Sequence, residues 1–484
     1  ELQSRIRIAP DLALAPILEK FELSLLPGSH IRPDARCARG LGYNNALFMA
    51  TELVLLRDGE ELALLLVEEP EAHLHPQLQE RVMDLLKEHS KEDQAEKRVQ
   101  VILTTHSPSL VSTARIEDMT LVHKAQTFPL AAGKTKLKRT DYSFLRRFID
   151  ATKANLFFAR GVMMVEGPAE AILVPAIAEM CGRSFSKNGV SMVNVGHIGL
   201  YHYARIFQRE GTGPDIPIPV VCLTDRDIVP DVANTYVSRP AKGKRFDSDY
   251  SALEMAQVVQ SKKDRAEGGN TIVCVSDRWT LEYDLALYGC AKLMHLAISL
   301  AVKANSRDER LEEQDEILTL AEAEANWTKL TAAGHTAEAV AAIIYRPLKM
   351  KEASKAIAAQ YAAHLVYTGA YGKDEELFKK LPPYLQAALS HLTIAPAPKP
   401  TAVSSAGNGS VSPGAVNVSG AAFSVISAPL PSAPPGFPLV QSTVPIEANS
   451  AVAVGTLRAT ATTAQADQVG LPDMAASGTQ ENGS

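Results

Sequence analysis

The chain has 484 residues, more than one ordinary domain holds, so length alone calls for roughly two to four domains. Its composition, 46% hydrophobic and 21% charged, is that of a soluble globular protein. The 49 Lys plus Arg against 55 Asp plus Glu give a formal charge of −6, which excludes a protein that coats nucleic acid by bulk charge but leaves room for a local basic groove.

The chain opens on Glu1 in amphipathic sequence with no signal-like segment, the pattern of a fragment or a processed product. No apolar run approaches the roughly 18 to 20 residues that span a bilayer. The five cysteines, Cys37, Cys181, Cys222, Cys274 and Cys290, are odd in number and form no CxxC pair. A reduced, cytoplasmic protein is the simpler reading.

In chain order, Leu62 to Val67 is a continuous apolar run, the pattern of a strand buried on both faces. It runs into Glu68-Glu69-Pro70. Gln77 to His89 has helical spacing (Leu78, Val82, Leu85, Leu86), and Val99 to Leu103 is a second buried strand that leads into Thr104-Thr105-His106-Ser107. Strand, helix, strand predicts a parallel βαβ unit, and ligands bind such sheets at the carboxyl ends of the strands. There one of the two acids is placed to hold Mg²⁺ through water, the next to orient a hydrolytic water, and His106 to reach a γ-phosphate. His73 and His75, in Glu71-Ala72-His73-Leu74-His75-Pro76, read as loop packing rather than as a metal pair. The Gly-Lys-Thr at 133–135 has Phe128 where the first glycine of a P-loop, GxxxxGK(S/T), belongs.

A second series of elements follows. Val162 to Val165, Val190 to Val195, Val220 to Leu223 and Thr271 to Val275 read as strands; Ala169 to Met180 and Leu200 to Arg209 read as helices. A polar insertion, 228–270, separates the last two strands and carries a helix near 250–263. Residues 284–392 are predominantly helical. Glu166 and Glu170, four apart in Glu166-Gly167-Pro168-Ala169-Glu170, follow one strand, and Asp225-Arg226-Asp227 follows another. In a parallel sheet these ends converge. Each like-charge pair at 4 Å costs roughly 4 kcal/mol at an effective dielectric near 20, so the cluster calls for a cation. Oxygen-only ligation favours Mg²⁺ or Mn²⁺ over Zn²⁺.

From Ala395 to Ser484 the pattern lapses. These 90 residues hold 11 prolines, two basic groups, four acidic ones, and two aromatics, Phe423 and Phe437. Such a segment lacks the apolar surface to offset roughly 1 to 2 kcal/mol per residue of ordering entropy and is expected to be a disordered tail.

The first group, "LLLVEEPEAHLHPQLQ" and "ILTTHSP", resembles the Walker B, D-loop and switch histidine of ABC-type ATPases, in their AAA-like and RecF-like branch. Arg39-Gly40-Leu41-Gly42-Tyr43-Asn44-Asn45 is similar to a degenerate ABC signature, whose glycines approach phosphate. The resemblance implies nucleotide contacts at Gly40, Gly42, Glu68, Glu69 and His106, with Glu69 the catalytic glutamate. Without a P-loop the chain is not expected to hydrolyse ATP alone. The second group resembles the TOPRIM domain. Its "TLEYDLA" segment, 280–286, is similar to that of the OLD (overcoming lysogenization defect) nucleases, which implies a second-metal glutamate at Glu282, with Asp284 beside it. Ser354-Lys355-Ala356 is similar to the helix that carries that family's catalytic lysine. Lys355 is thus the first candidate and Lys373 the second.

The expected fold is α/β: the C-terminal half of an ABC/AAA-like ATPase domain (1–150), a TOPRIM domain with a Rossmann-like parallel sheet and a helical end (158–392), and the tail (393–484). The resemblance implies a Mg²⁺-dependent DNA endonuclease linked to phage defence. It would be catalysed by Glu166, Glu170, Asp225, Asp227, Glu282 and Lys355 through two metal ions, with ATP as regulator. Partners are DNA and a second copy or the missing ATPase half. DNA would lie against Lys134, Lys136, Lys138, Arg139, Arg146 and Arg147, or against Lys242, Lys244 and Arg245. The competing readings are a non-cleaving nucleotide-gated DNA-binding scaffold, and a TOPRIM primase or topoisomerase.

Overall fold

The computed structural model describes residues 2–5, 24–27, 41–57, 63–90 and 99–394 apart from 197–198, 212, 241, 308–310, 370 and 372–375, together with 452–457. Gly40, Lys373, Cys37 and the tail expected from 393 onward, apart from 393–394 and 452–457, lie outside the described residues.

The first α/β unit begins with β1 (Leu2–Arg5) and β2 (Ser24–Pro27), paired antiparallel. Next come α1 (Leu41–Arg57), β3 (Leu64–Glu68), α2 (Pro76–Ser90), β4 (Gln100–Thr105), α3 (Pro108–Thr113), β5 (Met119–His123), β6 (Gln126–Pro129) and α4 (Arg139–Phe148). The expected βαβ unit is present, with β3 and β4 parallel. It differs from expectation in one respect. Leu65 is buried, but Leu64 and Leu66 are 39% and 67% exposed. β3 is an edge strand, in the order β3-β4-β11-β5-β6, where β11 is Val452–Leu457, and only one of its faces is covered within the described residues.

The strand between β4 and β5 is β11 (Val452–Leu457), antiparallel to both neighbours. It comes from the segment whose composition predicts no order, and the Val-Ala-Val stretch supplies the β-branched residues that a strand favours.

The second unit comprises β7 (Gly161–Val165), α5 (Pro168–Met180), β8 (Val190–Asn194), α6 (Leu200–Ala204), β9 (Val220–Thr224), α7 (Ala252–Ala266) and β10 (Thr271–Val275). Its sheet is parallel throughout, in the order β10-β9-β7-β8. The helices α8 (Leu281–Leu287), α9 (Ala291–Asn305), α10 (Glu313–Ala332), α11 (Ala337–Lys349), α12 (Lys355–Tyr367) and α13 (Pro383–Leu392) complete it. Every residue of β7 and β9 is buried, which is why both strands read as unbroken apolar runs.

Side chains alternate between two cores. Met163, Val165, Val221 and Leu223 join α5, α9 and α12 on one side. Val162, Met164, Val220 and Cys222 face the other, where they meet Leu121, Phe128, Tyr142 and Leu145 from the first unit. Each such large apolar side chain contributes roughly 1.5 to 3 kcal/mol on burial. The second core therefore runs straight across residues 150–158. The four described cysteines are buried. No described helix is long and apolar enough to cross a membrane.

Candidate active site

The parallel sheet delivers Glu166 directly after β7 and Asp225 directly after β9, because both strands end at the same edge. Gly167 opens α5. A Cβ there would sit 2.8 Å from Glu170 Oε2, so the small residue lets the Glu170 carboxyl fold back over the helix start. Thr224 Oγ1 donates to Glu166 Oε1 at 2.6 Å. Asp225 Oδ1 accepts the Leu281 N–H at 2.9 Å, which fixes α8 against the strand end. Asp227 holds a left-handed backbone, φ 65°, a strained state that clusters at functional positions. The Arg226 N–H between them donates to Ser276 Oγ at 2.6 Å, and the Arg226 guanidinium pairs with Asp247 at 3.0 Å.

Glu282 is 1% exposed and 2.8 Å from Lys355 Nζ. Lys355 is the first residue of α12, which packs against α5, and its ammonium also lies 3.9 Å from Asp225 Oδ2. Burial and the charges of Glu282 and Glu170 hold the Asp225 carboxyl well above the ordinary carboxylate range. Burial, then Glu282, likewise raises Glu170. Burial alone would depress Lys355, but Glu282, Tyr345 and Asp225 carry it above its ordinary value. Glu170, Asp225 and Glu282 thus share one electrostatic site with Lys355, and Glu166 and Asp227 stand at its rim.

The donor set suits a hard divalent cation. Among the described residues Glu170 Oε2 and Glu282 Oε1 are buried without a hydrogen-bond partner, and a buried orphan acceptor is costly unless a cation or proton satisfies it. Among the described residues no three His, Cys, Asp or Glu side chains close into a ready cage; the cations held here are two lysines. Lys355 was expected. Lys262, from the insertion helix α7, was not: its ammonium is 2.7 Å from Asp227 Oδ2 and also donates to the Asp225 carbonyl.

Asp284 departs from the ligand role expected of it. Both its oxygens accept backbone N–H groups, from Arg278 at 3.1 Å and Trp279 at 3.2 Å, so it locks the turn before α8. Burial, and then the nearby Asp277, push its pKa from 3.8 up to about 7. The folded chain therefore binds this proton more tightly than the unfolded chain. The stability it contributes is complete below about pH 3.8 and lost as pH rises through about 7. Near pH 7, urea unfolding should show a loss of about 0.7 kcal/mol per pH unit from this carboxyl alone. Asp284→Asn should flatten that slope; an unchanged slope would contradict the assignment. Tyr283 packs among Trp279 and Tyr345, its hydroxyl donating to the Glu338 carbonyl.

At the edge of the first sheet, Glu68 ends β3, and Glu69 follows with φ 46°. His106 Nε2 lies 3.5 Å from Glu69 Oε1, so β3 and β4 bring these two residues together. A residue outside the expected set, Glu71, ties the strand ends: its Oε1 accepts from Thr105 Oγ1 at 2.8 Å and from the His106 N–H at 2.7 Å. Gly42 is committed to packing. A Cβ there would meet the His73 carbonyl oxygen at 2.3 Å, so its α-carbon rests on the loop rather than on open space. His73 and His75, expected to pack in the loop, are instead exposed. Of the basic clusters, Lys134, Lys136, Lys138, Arg139 and Arg147 are exposed, Arg146 pairs with Glu117, and Lys244 pairs with Glu254.

Residues 37–111 match the AAA ATPase domain model, and residues 157–227 match the TOPRIM domain model of overcoming-lysogenization-defect-like proteins. An OLD nuclease of Thermus scotoductus is 27% identical over 199 residues, 40% of this chain and 36% of that protein. Endonuclease GajA of Bacillus cereus is 23% identical over 277 residues, 46% of this chain and 37% of that protein. The chain thus matches little more than a third of the length of these relatives. The solved C-terminal region of the Xanthomonas campestris OLD protein is 24% identical, covering 49% of this chain and 94% of that one, with a TM-score of 0.28.

Proposed function

We propose, for a chain that joins an AAA ATPase segment to an OLD-like TOPRIM domain, that it is a metal-dependent DNA endonuclease whose cleavage is regulated through the ATPase segment. The observation that carries this reading is the acidic edge, where burial and the neighbouring Glu282 make Glu170 and Asp225 costly to ionise and, among the described residues, two buried oxygens lack partners. Glu166, Glu170, Asp225 and Asp227 would hold one Mg²⁺ or Mn²⁺, and Glu282 would support a second. Metal there supplies an activated water and neutralises the leaving oxygen. Thr224 keeps Glu166 turned into the site, and the Leu281 N–H fixes Asp225. Lys355, preset by Glu282, presents its ammonium to the charge that develops on the attacked phosphoryl group.

On the ATPase side, Glu68, Glu69 and His106 serve a nucleotide whose phosphates are cradled by residues that this chain's sequence does not include as a P-loop. Phe48, Leu55 and Leu66, each more than 60% exposed, are apolar surface suited to a second copy or to a P-loop-bearing segment.

Incubating supercoiled plasmid with the protein tests the reading. Nicked or linear product is expected in Mg²⁺ or Mn²⁺ and none with chelator. The opposing reading, a non-cleaving DNA-binding scaffold, draws on Lys262 and Lys355 already filling the cationic positions. Metal-independent retention of intact plasmid, with no product in either ion, would establish it instead.

A further inference from the structure

Beside Glu166 lies a small cavity of about 120 Å³, walled by Tyr201, Thr224, Lys262 and Arg265. It is large enough for one phosphate group. Glu166 lines it as well, but its other two charged residues, Lys262 and Arg265, are cations, unlike those of the acidic edge it adjoins. Lys262 stands between the two, with its ammonium on Asp227. Arg265 is exposed, with no ion pair or hydrogen bond among the described residues. Tyr201 closes one wall with a partly exposed ring, held in place by His202 at 4.2 Å and by the Arg205 guanidinium at 5.2 Å. The His202 and Arg205 side chains are themselves anchored on the buried Asp141, at 2.5 and 3.0 Å, so this wall is rigid. A fixed aromatic beside two cations, one of them unpaired, fits a phosphate with a base attached.

We propose that this cavity is a nucleic-acid strand subsite: Arg265 and Lys262 hold the phosphate next to the one at the acidic edge, and Tyr201 offers its ring to the neighbouring base. A phosphate there competes with Asp227 for Lys262, so seating the strand leaves the Asp227 carboxylate free to face a cation. The proposal rests on the nuclease reading only in taking a nucleic-acid strand as the ligand.

The test is anisotropy of a labelled single-stranded oligodeoxynucleotide, titrated in chelator over a range of salt concentrations. Arg265→Gln should reduce the slope of log affinity against log salt by about 0.7, the value for one lost phosphate contact on a single strand. Arg265→Lys should retain the slope. Lys263→Gln, on the same helical turn but outside the cavity, should leave it unchanged. An unchanged slope in Arg265→Gln overturns the proposal. So does an equal fall in Lys263→Gln, since bulk charge would then account for it. Binding of inorganic phosphate that depends on Arg265, with no such dependence for the oligonucleotide, also overturns it by assigning the cavity to a free anion. The readout does not involve cleavage. An Arg265-dependent slope in a protein that never nicks plasmid would keep the subsite and remove the nuclease reading, and nicking without Arg265 dependence would do the reverse.

Discussion

Replacing Asp225 with asparagine should slow plasmid nicking by at least about 100-fold while leaving the metal-free protein folded and no less stable. The rate estimate is a lower bound: even the outer partners of metal ligands are worth 10- to 100-fold, and this residue faces the site directly. The stability half follows from the charges around it. Asp225 is buried beside Glu282 and Glu170, and its carboxyl is held well above the ordinary range. Ionising it in the folded chain is therefore unfavourable near neutral pH. Asparagine removes that charge and keeps an oxygen to accept the Leu281 N–H. Paired measurements of nicking rate and thermal midpoint in chelator check both halves. Full activity would remove Asp225 from the reaction, and a collapsed midpoint would show that its role is structural.

Lys355→Met should have the opposite signature: cleavage lost, and stability lost with it. The lysine is the near partner of Glu282, which is 1% exposed. Removing the lysine leaves the buried Glu282 carboxylate uncompensated; because the Lys355 side chain is itself 35% exposed, the cost falls below about 3 to 5 kcal/mol, the figure for a fully buried pair. Urea unfolding in chelator at neutral pH would register this. The double variant Glu282→Gln with Lys355→Met should regain most of the stability and none of the cleavage. If Lys355→Met unfolds like the native chain, the pair is not coupled as the geometry indicates.

The acidic edge was largely legible from sequence because of the strands beneath it. β7 and β9 are buried along their whole length, so each appears as an apolar run that stops abruptly at an acid. Glu166 and Asp225 could be placed at one edge from that pattern alone. Lys262 could not. It lies in a polar insertion and reaches Asp227 across 35 residues, with no periodicity to mark it. Asp284 departs from expectation for a related reason: two residues from Glu282 on a short helix, it turns to the backbone of 278–279, and sequence spacing does not reveal which way a carboxyl faces. The apolar run at β3 predicted two covered faces where the described residues cover one, since hydrophobicity records what a strand requires rather than which segment supplies it.

The shared core has a practical consequence for dissecting the chain. Val111, Ile116, Met119, Leu121, Phe128 and Leu145 precede the TOPRIM match, yet they are buried with Val162, Met164, Val220 and Cys222 on the underside of its sheet. A fragment begun at residue 157 would leave that underside facing water and would be prone to aggregate. A cut ahead of α3, near Pro108, carries the whole layer along. By the same token, strain introduced at β5 would reach the floor of the acidic edge through contact packing, with no linker to absorb it.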